Sequence, residues 1–217
     1  MKTSDILFKT LHCACSGPFG SLYTLKTYGK ENLPKGRGIL VANHTSYLDP
    51  FFIIAGVASK EPIHFCTLDF YKHARPGLDK LKAGAMNLLL NLNGQIVLDE
   101  DKMNLEAFRK IKNVLEHERY LGVFAEGKRS NDGKLDEFKD GAAYIALKTQ
   151  SPLVPIYLNG SYGIWKRGTY FPKLSGSVEM RIGKPIIPGL SRGNNLRRDA
   201  RDLSELVRQE ILKLSLD

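Results

Sequence analysis

The segment Asn43-His44-Thr45-Ser46-Tyr47-Leu48-Asp49-Pro50 places an imidazole and a carboxylate five positions apart, directly after the apolar run Gly38-Ile39-Leu40-Val41-Ala42. On a continuous helix, five positions turn through about 500°, which sends the two side chains to different sides. They meet only where the chain turns between them, and Thr45, Ser46 and Asp49-Pro50 supply turn and cap chemistry for that. A carboxylate bonded to one ring nitrogen fixes the tautomer and leaves the other nitrogen as a base. A structural role is open for the same residues. Asp49 before Pro50 suits a helix N-cap, Ser46 with Asp49 fits a capping box, and His44 is then a turn histidine.

A second polar cluster, Glu126-Gly127-Lys128-Arg129-Ser130, follows the apolar run from Tyr120 to Ala125. Arg129 offers a planar fork of donors for a phosphate or carboxylate, and Gly127 permits a sharp turn. Its structural alternative is a charged surface turn over 126–132. Both clusters stand where strands end, and ligands of open α/β sheets bind outside the carboxyl ends of strands. His64, His73 and His117 lack metal-ligand spacing, so no metal is expected.

The elements that must carry these clusters can be read in order. Residues 3–12 open with cap residues and place Ile6, Leu7 and Leu11 near one helical face. Leu22 to Tyr28 reads as either a short strand or a second amphipathic piece. Residues 1–29 are therefore taken as an N-terminal amphipathic segment with possible membrane-surface contact, and 30–217 as the main domain. Strands are expected at Gly38–Ala42, Ile63–Cys66, Gln95–Leu98, Tyr120–Ala125, Leu153–Leu158 and around Val178, Met180 and Ile182, where apolar and polar residues alternate. Helices are expected at Phe51–Ala58, Leu78–Leu92, Asn104–Arg119, Asp140–Gln150 and from Leu196 to Leu214, by periodicity or apolar length. Strands alternate with helices, so the fold class is α/β: a single layered domain with a mixed, partly parallel central sheet flanked by helices and an N-terminal helical segment. The Leu- and Met-rich stretch Leu81–Leu92 is either core or the lining of an apolar pocket.

The 217 residues are 42% hydrophobic and 25% charged, a globular composition able to bury a sizeable core. A formal charge of +9, from 32 Lys+Arg against 23 Asp+Glu, suits an anionic partner. The basic residues are scattered without an aromatic–basic module, so no nucleic acid is expected. The three cysteines, Cys13, Cys15 and Cys66, are odd in number and read as reduced thiols. No run reaches the roughly 18 apolar residues of a transmembrane helix, so any membrane contact is peripheral. Tyr162 and Trp165, beside Lys166 and Arg167, fit either a membrane interface or ordinary packing.

Taken together, the clusters carry a resemblance. Asn43 to Pro50 resembles the His-x-x-x-x-Asp motif of the 1-acylglycerol-3-phosphate acyltransferase family, and Phe124 to Ser130 resembles its Phe-Pro-Glu-Gly-Thr-Arg-Ser motif. Glu31-Asn32-Leu33-Pro34, Phe138-Lys139-Asp140-Gly141 and Val154-Pro155-Ile156 are similar to further blocks, in the family's order, over about residues 28–185. The resemblance implies transfer of a fatty acyl group from an acyl-CoA or acyl-ACP thioester to a lysolipid hydroxyl, with no further cofactor. It implies that His44 is the base and Asp49 its orienting partner, and that Glu126, Gly127, Arg129 and Ser130 bind the acceptor, Arg129 meeting its phosphate. The expected partners are a membrane surface, a lysolipid acceptor and an acyl carrier protein or coenzyme A thioester, at the cytoplasmic face of the membrane. Two positions depart from the family pattern. Glu100 stands where an arginine is expected after the third strand, and a family lysine is replaced near Thr67. Lys102, Lys128 and Lys139 are candidates to compensate. The acceptor is therefore either lysophosphatidate or a lysolipid with another head group, such as lyso-ornithine lipid or lysophosphatidylethanolamine.

Overall fold

Every residue of Gly38–Ala42 is buried, as expected of a strand covered on both faces. It is β2 of the computed structural model, which describes residues 21–59, 62–68, 77, 95–98, 105–117, 119–169, 171–189 and 195–216. Chain order is β1 (Tyr23–Tyr28), β2, α1 (Asp49–Val57), β3 (Ile63–Leu68), β4 (Ile96–Leu98), α2 (Leu105–Glu116), β5 (Tyr120–Phe124), α3 (Gly141–Thr149), β6 (Leu153–Asn159), β7 (Gly176–Ile182) and α4 (Leu196–Leu216). The helices expected at 3–12 and Leu78–Leu92 lie outside the described residues, as do Glu100 and Lys102.

One seven-stranded sheet has the order β1-β7-β6-β2-β5-β3-β4. The strands from β6 to β4 run parallel; β7 is antiparallel to β6, and β1 is parallel to β7. The sheet is thus mixed and mostly parallel. The ambiguous stretch Leu22–Tyr28 resolves as an edge strand, β1, paired with β7 some 150 residues later in sequence. Tyr23 seals it by packing edge-on against Phe52 at 5.7 Å. The sheet therefore begins at Tyr23, inside the segment taken as 1–29, because β1 buries Tyr23 and half-buries Leu25 instead of presenting a free apolar face.

Alternation within β2 divides the core. Leu40 and Ala42 face α1, packing with Phe52, Ile53, Phe65 and Ile156. Ile39 and Val41 face α2, α3 and α4, packing with Ile111, Leu115, Ile145 and Ile211. Helix α2 buries Ala107, Ile111, Val114 and Leu115 at helical spacing, and its outer face carries Lys110–Glu106 and Lys112–Glu116 pairs.

Two crossovers decide where a ligand can sit. From β2, the chain passes over one face through α1 to β3; from β5, it passes over the other face through α3 to β6. Neighbouring strands β2 and β5 thus send their connections to opposite sides, which opens a crevice beyond their carboxyl ends. Register brings those ends level: Ala42 lies opposite Phe124 on one side and Ile156 on the other.

Candidate active site

β2 and β5 end level, and β6 between Ile156 and Asn159 runs on past the end of β2, so the residues after Ala42 lie beside the end of β6 as well as beside the loop that begins at Ala125. Asn43 fixes the loop after β2. Its buried amide donates to the Leu158 carbonyl at 3.0 Å and accepts the Leu158 N–H at 2.8 Å, pairing with β6 as a backbone unit would. Beside it, the Thr45 and Ser161 hydroxyls share a hydrogen bond of 2.8 Å.

The chain then turns, and His44 Nδ1 meets Asp49 Oδ2 at 2.9 Å. The same oxygen accepts the N–H of Thr45 at 2.7 Å and of Ser46 at 2.8 Å. Ser46 Oγ accepts the Leu48 N–H at 3.2 Å. Asp49 thus takes the Ser46 N–H as in a capping box, but Ser46 Oγ turns to the Leu48 N–H and not to that of Asp49, so only half of the expected box forms, in the same carboxylate that holds His44. The simpler N-cap reading is corrected: Asp49 is the first residue of α1, its side chain makes no forward cap bond, and Leu48 occupies the cap position. Asp49 folds back because three donors already face it. Asp49 is fully buried and the His44 side chain is 16% exposed, so the carboxylate is sealed while the ring reaches the crevice. Phe124 stacks on that ring at 4.0 Å, with 16° between the planes, and Phe65 continues the stack at 5.7 Å. With Nδ1 held by the carboxylate, Nε2 is the nitrogen that can exchange a proton with a ligand.

The second cluster is tied to the first through main chain. The His44 N–H donates to Glu126 Oε1 at 3.0 Å, and the Ser130 N–H donates to the His44 carbonyl at 2.8 Å. Glu126 Oε2 takes the Asp136 N–H at 3.4 Å. Glu126 is only 2% exposed, and this burial pushes its carboxyl up to about 7, against the opposing pull of those two N–H bonds. Both its oxygens therefore serve to join loops. Gly127 takes φ +69°, and a Cβ there would meet the Lys139 side chain at 2.8 Å. Ser130 Oγ donates to Asp132 and accepts the Gly133 N–H, each at 3.0 Å, shaping the turn after Arg129.

Arg129 lies with Cζ 3.5 Å above the Tyr47 ring centroid. Trp165 braces Tyr47 from beside it, 4.9 Å between ring centroids, and its carbonyl accepts the Tyr47 N–H. The Arg129 Nε is buried without a hydrogen-bond partner. The six residues singled out in the two motifs, His44, Asp49, Glu126, Gly127, Arg129 and Ser130, thus come together at one crevice. Tyr47, Phe124 and Trp165 complete it. Tyr47 and Phe124 sat inside the two motifs, whereas Trp165 sat outside both. Cys66 is no nucleophile here, because burial pushes its thiol up to about 12.

A doubly wound sheet with a carboxylate-held imidazole at its switch point, beside guanidinium donors, defines a site able to take a proton from a ligand that also carries an anionic group. The family described as Acyltransferase matches residues 24–159. The chain belongs to that family. It is 32% identical over 153 residues to a 1-acyl-sn-glycerol-3-phosphate acyltransferase from Limnanthes douglasii, covering 67% of this chain and 49% of the relative. It is 26% identical over 189 residues to one from Borreliella burgdorferi, covering 85% of this chain and 69% of that one. The crystal structure of the 1-acyl-sn-glycerophosphate (LPA) acyltransferase PlsC from Thermotoga maritima shares the fold, with a TM-score of 0.72 and 25% identity over 99% of this chain and 82% of that one. The chain spans about half the length of the Limnanthes relatives it matches.

Proposed function

We propose that this protein transfers a fatty acyl group from an acyl-CoA or acyl-ACP thioester to the free hydroxyl of 1-acylglycerol-3-phosphate, giving phosphatidate. The observation that carries this reading is the His44–Asp49 contact of 2.9 Å at the mouth of the crevice, beside an arginine with an unpartnered buried nitrogen. The relatives' names point to the same acceptor.

The proposed steps use that contact. His44 Nε2 takes the hydroxyl proton as the acceptor oxygen attacks the thioester carbonyl carbon. A C–O bond forms, and the carbonyl oxygen carries the negative charge of the tetrahedral intermediate. The C–S bond then breaks, the carbonyl re-forms, and the departing thiolate takes the proton from the imidazolium. Asp49 stabilises the imidazolium between those two events. The thioester is already activated, so no covalent enzyme intermediate is needed. The acceptor phosphate meets Arg129, whose guanidinium is presented flat by Tyr47.

Attachment to the cytoplasmic face of a membrane is part of this reading. Among the described residues no helix is long and apolar enough to cross a membrane, and the net charge of +9 favours an anionic lipid surface. A second reading keeps the chemistry and changes the acceptor to lyso-ornithine lipid or lysophosphatidylethanolamine. It is motivated by Thr67, which stands near the carboxyl end of β3 where the family pattern has lysine, and by Glu100.

Purified protein given palmitoyl-CoA or palmitoyl-ACP with a panel of lysolipids, its products read by mass spectrometry, tests both. Phosphatidate from wild type and none from a folded His44→Ala variant is the expected result. Acylation of another lysolipid in preference to lysophosphatidate replaces the acceptor. Full activity in His44→Ala removes the mechanism.

A further inference from the structure

The acceptor subsite has one cation from the second motif, Arg129, and the family's other cationic positions are replaced at Thr67 and Glu100. Of the lysines able to compensate, Lys128 is ion-paired with Asp136 at 3.0 Å. Lys139 lies against Gly127, with its main chain tied to Ala125 and to Ser204 of α4. Another cation stands on the Tyr47 side of the crevice. The loop after β6 carries Tyr162, Trp165 and Arg167; Trp165 packs on the first motif, and the other two reach Asn131, the residue just after the second. Tyr162 donates its hydroxyl to the Asn131 carbonyl at 2.7 Å. Trp165 packs on Tyr47, the ring that supports Arg129. Arg167 Nη1 donates to Asn131 Oδ1 at 3.4 Å, two residues past Arg129.

We propose that Arg167 is the second cation of the acceptor's head-group subsite, so that Arg129 and Arg167 together grip one phosphomonoester. This rests on the phosphatidate reading above and names a residue outside both motifs. The local carboxylates are already engaged. Asp49 holds His44 and two N–H groups, Glu126 holds two N–H groups, and Asp132 holds Ser130 and the Lys134 N–H. Neither arginine has a carboxylate partner among the described residues. Burial holds the Arg129 guanidinium below its ordinary range and the charge of Arg167 adds to this, against opposing effects of Tyr47 and of the Asp49 carboxylate. Like charges on neighbouring stretches of chain repel, and a shared anion relieves the repulsion. A phosphomonoester carries about −1.5 to −2 near neutral pH, against −1 for a phosphodiester, so paired guanidinium groups favour lysophosphatidate over lysophosphatidylethanolamine.

The test compares wild type, Arg167→Gln and Arg167→Lys in steady-state acylation of lysophosphatidate and in calorimetric binding of a short-chain, monomeric lysophosphatidate. Arg167→Gln is expected to raise KM for lysophosphatidate about tenfold, the loss of one charge-assisted contact, with kcat within a factor of three and an unchanged melting temperature. Arg167→Lys should recover part of the loss. Binding of the short-chain lipid should weaken in parallel. An unchanged KM and unchanged binding in Arg167→Gln would overturn the inference and leave the phosphatidate reading intact. A rise in KM for acyl-CoA alone also overturns it, because the phosphomonoester would then be the donor's. If wild type makes no phosphatidate, the functional reading fails on its own. The binding arm still decides Arg167: tighter binding by wild type than by Arg167→Gln supports it, and equal or absent binding overturns it.

Discussion

The main-chain N–H of His44 donates to Glu126 Oε1 at 3.0 Å, so the loop that holds the imidazole and the loop that holds Arg129 are one mechanical unit. The joining carboxyl is buried and is pushed up to about 7 from an ordinary value of 4.5. Between pH 4.5 and about 7 the native protein thus keeps a proton on Glu126 that the unfolded chain releases. Native stability from this source is fully present below pH 4.5 and is lost as pH rises through 7. Glu126→Gln cannot titrate. From pH 5 to pH 8, urea unfolding should show the stability difference between variant and wild type moving in the variant's favour by about 2 kcal/mol. A difference that stays constant over that interval would mean that Glu126 is ionised throughout.

The contact between His44 and Asp49 makes a separate prediction. His44→Ala should lower kcat by at least about 10²-fold, the usual contribution of a general base. Its stability should fall by about 1–3 kcal/mol, since the buried Asp49 oxygen loses one of its three donors and Phe124 loses its stacking partner. Asp49→Asn should lower kcat by about 10²- to 10⁴-fold. It should also cost about 2–4 kcal/mol in chemical denaturation, because three donors converge on a fully buried charge. The pair is thus distinguishable: His44→Ala removes one donor to the buried oxygen, whereas Asp49→Asn alters the acceptor of all three and should be the more destabilising.

Much of this site could be read from the chain because each motif follows a short apolar run that is itself a strand. A buried strand fixes where its loop begins, so β2 and β5 locate His44 and Glu126 from local sequence. The sequence also showed that His44 and Asp49 need a turn between them to meet. Long-range pairing was not legible. Nothing local in Tyr23–Tyr28 reports that its partner is Gly176–Ile182, because edge-strand pairing depends on the remote strand's register. Trp165 was equally opaque. An aromatic beside Lys166 and Arg167 fits packing or a membrane interface, and only the convergence of β2, β5 and β6 sets it against Tyr47. Asn43 carried a weak signal, as a polar residue at a buried strand's end, but its partner Leu158 is 115 residues away.

Tyr47 is predicted to act through Arg129. The ring lies 3.5 Å below the guanidinium, a cation–π contact worth about 0.5–2 kcal/mol that also fixes the plane of the donor fork. Tyr47→Ala should raise KM for lysophosphatidate by roughly five- to thirtyfold with a much smaller change in kcat, and Tyr47→Phe should keep wild-type values, since only the ring is used. Arg129→Lys should not rescue function, because an ammonium neither stacks in that way nor offers a fork. Equal effects of Tyr47→Ala on KM and kcat would place Tyr47 in general packing instead.

The last prediction follows the stack beneath the imidazole. Gly122 lies in β5, and a Cβ there would stand 2.4 Å from two ring carbons of Phe65. Phe65 stacks on Phe124, and Phe124 stacks on His44, so a single methyl group at position 122 must displace three rings in series. The sheet cannot absorb this, because β5 is held between β2 and β3. Gly122→Ala should therefore cost about 1–3 kcal/mol of stability, as overpacked cores do. It should also lower kcat, because the imidazole loses its seat while its hydrogen bond to Asp49 remains possible. Adding Phe65→Leu removes the clashing ring carbons and should restore part of the kcat lost. That recovery is the informative measurement: general destabilisation would deepen with a second core substitution, whereas relief of a specific steric chain reverses the defect. A double variant with lower kcat than Gly122→Ala alone would show that the stack does not transmit position to His44.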